Sequence, residues 1–267
     1  MNELAAVFRF ELRRSMSVGR IAWWLVLAGF PVLITILVLS ANDFSRASLS
    51  ARQTNAIWST IFYMLVPGVC CALSVFLHTA PAVASELEQR SWVYMATRPR
   101  GVLWLLLGKY AVAVLWAISA AVAGVTISVL LCTAPSAGQI WFSMVRLSIL
   151  SSVSYGALYL MIGAMFPRRS MVFSVAYTAI VEVFLSMIPA VINRLTIQYR
   201  MRSLFIYWMD DEMREQILDD DFSQLMFAEG TASTQIFWLT GMTLVFLLTA
   251  LIVAHKREFT SASESDV

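Results

Sequence analysis

The chain has 267 residues, of which 59% are hydrophobic and only 13% charged, with a net charge of +2. Soluble domains carry about 25% charged residues, so this composition excludes a soluble globular protein of this size and points to surface facing lipid. The small net charge gives no case for nucleic acid, and the basic residues cluster beside apolar runs, as membrane orientation requires.

In residues 2–17, Leu4, Phe8, Leu12 and Met16 recur at i, i+4, i+8 and i+12, with Arg9, Arg13 and Arg14 off that line. This predicts an N-terminal amphipathic interfacial helix within residues 1–20, lying on the cytoplasmic leaflet. A crossing helix needs about 20 apolar residues, because loop backbone goes unpaired in hydrocarbon. Six segments reach that length: 21–41, 56–79, 110–132, 147–166, 171–192 and 235–254. The predicted class is therefore an all-α polytopic membrane protein with one six-helix transmembrane domain over 21–254.

The first run is longer than a signal-peptide core and opens on Trp23 and Trp24, an interfacial anchor, so a retained helix is expected. Lys109 is placed at the interface, with its stem snorkelling. Residues 80–109 form one connection and 193–234 another, and 255–267 form a tail. Twelve of the nineteen Lys and Arg residues fall on the side holding both termini, which predicts cytoplasmic termini. The connection 193–234 is then extracytoplasmic. Ile206, Met209, Met213 and Ile217 predict an acidic amphipathic helix there. Asp219, Asp220 and Asp221 read as a solvated acidic face, since no glycine-punctuated calcium loop accompanies them.

No metal or cofactor site is expected. Cys70, Cys71 and Cys132 lie in apolar stretches and read as packing residues. The phosphate-cradling pattern G-x-x-x-x-G-K-[S/T] is absent, since Gly108 and Lys109 are followed by Tyr110. Neither a metalloprotease nor a serine-hydrolase motif occurs, so no catalytic residue is assigned and the chain is not expected to be an enzyme. Glu182 is the one ionisable residue deep in a span. It stands either on a translocation path or as a glutamic acid hydrogen-bonded to a neighbouring helix. Pro31, Pro67 and Pro189 are expected to kink their spans.

The connection between the second and third spans carries the most specific pattern. Ser85 and Glu88 fit a capping box that would start a short helix, with Leu87, Trp92 and Met95 as apolar contacts and a turn at residues 97–101. The order Glu86, Glu88, Arg90, Ser91, Pro99, Gly108, Lys109 resembles the type-2 ABC transporter permeases, which share E-x-E-x-[R/G]-[T/S], a proline and a later G-K. Trp92-Val93-Tyr94-Met95 replaces the leucine-rich run of that pattern, and Arg100 follows Pro99 directly.

The resemblance implies a permease subunit of a plasma-membrane exporter, paired with a second permease copy or relative. Such a pair docks a separate ATPase that carries ATP and magnesium. Glu86, Leu87, Glu88, Gln89, Arg90, Trp92, Pro99 and Arg100 would form the coupling helix and its flank, with Gly108 and Lys109 as an interfacial anchor. The alternatives are an ion- or proton-coupled carrier using Glu182, or a membrane scaffold that does not transport.

Overall fold

A computed structural model describes residues 3–41, 50–89, 91, 92, 94, 97, 100–132, 134–188, 191–209 and 230–256. Among these residues the secondary structure is helical throughout, with no strand. Five helical stretches are long and apolar enough to cross a membrane: Val18–Ser40, Ala51–Glu88, Gly101–Leu131, Ala137–Met165 and Ala232–Lys256. The run 171–192 does not join them, because it is broken.

The helices are α1 (Glu3–Ser15), α2 (Val18–Ser40), α3 (Ala51–Tyr63), α4 (Ala72–Thr79), α5 (Ala82–Glu88), α6 (Gly101–Leu131), α7 (Ala137–Met165), α8 (Ser170–Tyr177), α9 (Ile197–Tyr207) and α10 (Ala232–Lys256). A π-helical stretch, Met64–Cys71, joins α3 to α4 at Pro67, which lacks the N–H an α-helix needs there. Ser151 of α7 donates to the Pro67 carbonyl at 2.6 Å. Pro31 sits inside α2, and its carbonyl accepts the Thr35 hydroxyl at 2.8 Å. Pro189 lies outside the described residues.

The centre of the bundle is α7. Some 78% of its most apolar window is buried, against 22% for α2 and 17% for α10, although its hydropathy is the lowest of the five. A helix surrounded by protein rather than lipid can carry small polar residues. Accordingly Ser143, Ser148, Ser151, Ser152 and Ser154 are all buried on α7. It extends beyond 147–166 and takes Arg146 into the helix, where the guanidinium lies 3.7 Å from the Phe142 ring centroid.

The third crossing begins at Gly101, nine residues before the sequence boundary at Tyr110, so Lys109 is a helix-interior residue. At 31 residues α6 is about 46 Å long, more than the roughly 30 Å of hydrocarbon, and its first turns stay within the bundle, with Leu105 and Leu106 buried. Helix α1 packs along its first half: Val7 meets Gly108, and Trp116 Nε1 donates to Ser15 Oγ at 2.8 Å. The α1 residues buried most deeply are Glu11 and Ser15, whereas Met16 is 62% exposed. The buried face is thus rotated one residue from the expected Leu4–Met16 stripe, because α1 packs on a helix and not only on lipid. Alongside, Trp24 Nε1 donates to Ser119 Oγ at 2.9 Å, and Gly124 lets α6 approach the Ala28 carbonyl of α2.

Closest approach occurs where Gly163 of α7 meets the Ala80 carbonyl, just before Pro81 breaks the second crossing; a Cβ on Gly163 would overlap that oxygen. Replacing Gly163 with Ala is expected to cost about 1–3 kcal/mol of stability by overpacking. Gly241→Ala, with no atom within 4 Å of the added carbon, should be neutral or slightly stabilising. Chemical denaturation in detergent compares the two, and equal stabilities would refute the close packing.

Candidate functional site

Two polar clusters stand out against the apolar bundle. The first fixes the connection between the second and third crossings. Pro81 ends α4, and α5 restarts at Ala82 and ends at Glu88. Ser85 is therefore inside a helix and not its cap. Its hydroxyl donates to the Ala82 carbonyl and accepts from Lys109, so the expected capping box does not form. A capping box occurs instead at Ser50 and Gln53, heading α3.

Glu86 is 2% exposed and is the hub of this cluster. Its Oε1 lies 2.6 Å from Lys109 Nζ on α6 and 3.1 Å from Arg14 Nη1 on α1. Its Oε2 accepts the Ser91 hydroxyl, and Arg14 Nη2 donates to Gln89 Oε1. Lys109 also donates to the Ala82 carbonyl at 2.9 Å and to Ser85 Oγ at 3.1 Å, so its three donors all have acceptors. Nearby, burial pushes the Glu11 carboxyl up from its ordinary value, against the opposing pull of Lys109 and Arg14. One carboxylate thus joins α1, α5 and α6.

The proposed coupling residues divide by exposure. Glu86 is internal, Leu87 is half-buried, and Trp92 is buried against Ala82, Val83, Leu106 and Ala250. Glu88, Gln89 and Arg100 are exposed, as are Tyr94 and Thr97. Arg100 has φ +58°, a left-handed conformation unusual outside glycine, immediately before α6. Gly108 is required by α1, since a Cβ there would lie 2.9 Å from Val7 Cγ1. Lys109 does not snorkel; it is spent on Glu86. Arg90 and Pro99 lie outside the described residues, as do Met95 and the acidic stretch around residues 210–221.

The second cluster surrounds Glu182. Helix α8 gives way to a π-helical stretch, Thr178–Phe184, and a 3-10 turn, Leu185–Met187. Glu182 Oε1 accepts the Ile197 N–H at 3.2 Å, and Oε2 accepts the Gln198 N–H at 2.8 Å and the Tyr155 hydroxyl at 3.1 Å. Thr196 Oγ1 accepts the Tyr199 N–H at 3.2 Å. The first three amides of α9 are therefore all paired, and a carboxylate sits at the positive end of its helix dipole. At the other side of the break, Arg202 donates to the Ser186 carbonyl at 2.6 Å.

Helix α9 runs antiparallel to α7. Its start meets Tyr155, and Trp208 at its end accepts the Ser143 hydroxyl at 3.1 Å. Tyr155 is eleven residues, about 16 Å, from Phe166 at the end of α7, so α9 begins within the length of the bundle. The connection 193–234 thus opens with a buried half-helix in which Ile197, Met201, Leu204 and Ile206 are core residues. Arg200 pairs with Gln235 of α10 at 2.6 Å. Sequence reasoning placed Arg200 and Arg202 in a loop, and only the spacing of Ile197, Met201 and Leu204 could have signalled the half-helix.

The fold and these clusters define an all-α polytopic membrane protein. No protein-family model, curated protein or solved structure matches the chain.

Lys109→Met should lower stability by about 3–5 kcal/mol, because Glu86 would be left buried with its main partner gone. Glu86→Gln combined with Lys109→Met should recover most of that loss, as read by denaturant unfolding. At the second cluster, Glu182→Ala should lose about 1–3 kcal/mol for each α9 amide left unpaired, with Glu182→Gln intermediate. Thermal unfolding in detergent tests that order, and an alanine variant as stable as wild type would contradict the capping role.

Proposed function

We propose that this chain is the permease subunit of an ATP-binding-cassette exporter of the type-2 class, driven by an ATPase on a separate polypeptide. In this reading the broken run 170–187 and α9 together make one further crossing, the fifth in chain order, which brings the number to six, and both termini lie in the cytoplasm of a cell whose plasma membrane holds the protein. A second permease subunit completes the pathway, and ATP with magnesium is bound by the partner ATPase.

The observation that carries the reading is the Glu86 hub. It couples the short helix α5 to α1 and to the first turns of α6, both of which lead directly into membrane-crossing segments. A partner pressing on the exposed side of 82–100 would move those helices together, which is what a two-state transport element needs. The docking surface assigned here is Glu88, Gln89, Tyr94 and Arg100, while Glu86 and Trp92 fix the segment from within; Arg90 and Pro99 join the assignment through the motif alone. The motif order quoted above supports the same assignment. A carrier built on Glu182 has weaker support, because both carboxylate oxygens are committed to capping α9.

Purification in mild detergent with identification of co-purifying proteins tests the proposal. A stoichiometric ATPase bearing G-x-x-x-x-G-K-[S/T] is expected. Glu88→Arg or Arg100→Glu should reduce its recovery by about tenfold, since charge reversal at a docking surface costs on the order of 1.4 kcal/mol or more. Thermal stability of both variants should stay at the wild-type value. Transport by the purified chain alone, with no ATPase, would overturn the reading in favour of an ion-coupled carrier.

A further inference from the structure

A cleft of about 560 Å3 lies between α1, the start of α2, the α4–α5 junction and α6. Its polar lining includes Glu11, Arg14, Arg20, His78 and Lys109, and its apolar wall includes Leu77, Pro81 and Val112. Arg14 and Lys109 are committed to Glu86. Glu11 and Arg20 are not so committed. Glu11 is 5% exposed, yet its Oε1 has no hydrogen-bond donor among the described residues, and Arg14 stands 3.7 Å away. The Arg20 guanidinium makes no hydrogen bond or ion pair with a described residue, although it feels the Glu11 charge.

Two opposite charges face one cleft without touching. A ligand that is anionic at one end and an N–H donor at the other would satisfy both groups at once. The cleft lies beside the first turn of α2, the start of the first crossing. Beyond Arg20 the outer surface of α2 is apolar on more than one side, with Ile21, Trp23 and Leu25 exposed at 42%, 51% and 59%. Phosphate beside ammonium, with hydrocarbon continuing along such a surface, is the chemistry of a phospholipid.

We propose that this cleft holds the headgroup of a phospholipid bearing a primary amine, with its phosphate on Arg20 and its ammonium on the Glu11 carboxylate. The assignment requires only that the protein sits in a membrane and is independent of what drives transport. A choline headgroup has no N–H to give Glu11, and a glycerol headgroup brings no positive charge. The proposal therefore distinguishes among common phospholipids. A bound headgroup would also brace α1 against α2 and α6, beside the Glu86 hub.

Native mass spectrometry of the full chain, titrated with phosphatidylethanolamine, phosphatidylcholine and phosphatidylglycerol of identical acyl chains, tests it. Phosphatidylethanolamine is expected to bind about tenfold more tightly than the other two, the scale of one charge-assisted hydrogen bond. Glu11→Gln should bring its preference over phosphatidylcholine close to one. Arg20→Gln should weaken phosphatidylethanolamine binding by about tenfold, and Arg20→Lys should hold it within about threefold of wild type.

Arg20 lies at the open rim, so its variants remain informative even where Glu11→Gln fails to fold. Equal binding of all three lipids by the wild type, or Arg20→Gln binding unchanged, would overturn the proposal. Displacement of the lipid by soluble glycerophosphoethanolamine at the lipid's own concentration would overturn its lipid source, since acyl chains would then add nothing.

Discussion

A backbone N–H or C=O without a partner in hydrocarbon costs several kcal/mol, and that constraint shapes the irregular features among the described residues. At three breaks a side chain from another segment takes a backbone group. The Pro67 carbonyl, at the π-helical stretch, is taken by Ser151. The Ala82 carbonyl, where the chain restarts after Pro81, is taken by Lys109. At the largest break, Glu182 takes two amides of α9 and Arg202 takes the Ser186 carbonyl. The central helix contributes Ser151 here and the Tyr155 hydroxyl to Glu182, and α7 is both the least apolar and the most buried of the five long helices.

The same accounting joins the two polar clusters to motion. Glu182 ties the broken run 170–187 to α9, and separate pieces can change their relation where a continuous helix can only bend. Glu86 does the converse at the end of the bundle where α1 lies: it locks three elements that would otherwise move separately. A bundle with one firm joint and one broken helical run has parts that can shift against each other. Glu88, Gln89 and Arg100 are exposed beside the joint, and the Glu11–Arg20 cleft sits against it.

Much of this was legible in the sequence. Apolar run length located every long helix, because lipid imposes it residue by residue. Boundaries were less legible: α6 and α7 extend past their apolar runs by taking Lys109 and Arg146 inside, Lys109 through Glu86, distant in sequence, and Arg146 through the ring of Phe142 four residues before it, with Trp208 farther off. The special status of Glu182 was visible from its isolation, but its role was not, since the amides it caps are fifteen and sixteen residues away. Glu86 shows the opposite case. Its motif position marked it as part of a contact segment, and tertiary pairing turned it inward. The half-helix α9 was hidden because Arg200 and Arg202 gave its segment the charge of a loop.

The account rests most heavily on α9 being a capped half-helix inside the bundle. Amide hydrogen exchange of the wild-type protein in lipid nanodiscs measures this directly, because an amide paired to a buried carboxylate is shielded from solvent. Ile197 and Gln198 should exchange as slowly as the core of α7, with protection continuing through Ile206. Exchange of 197–206 at the rate of an open loop would contradict the capped half-helix.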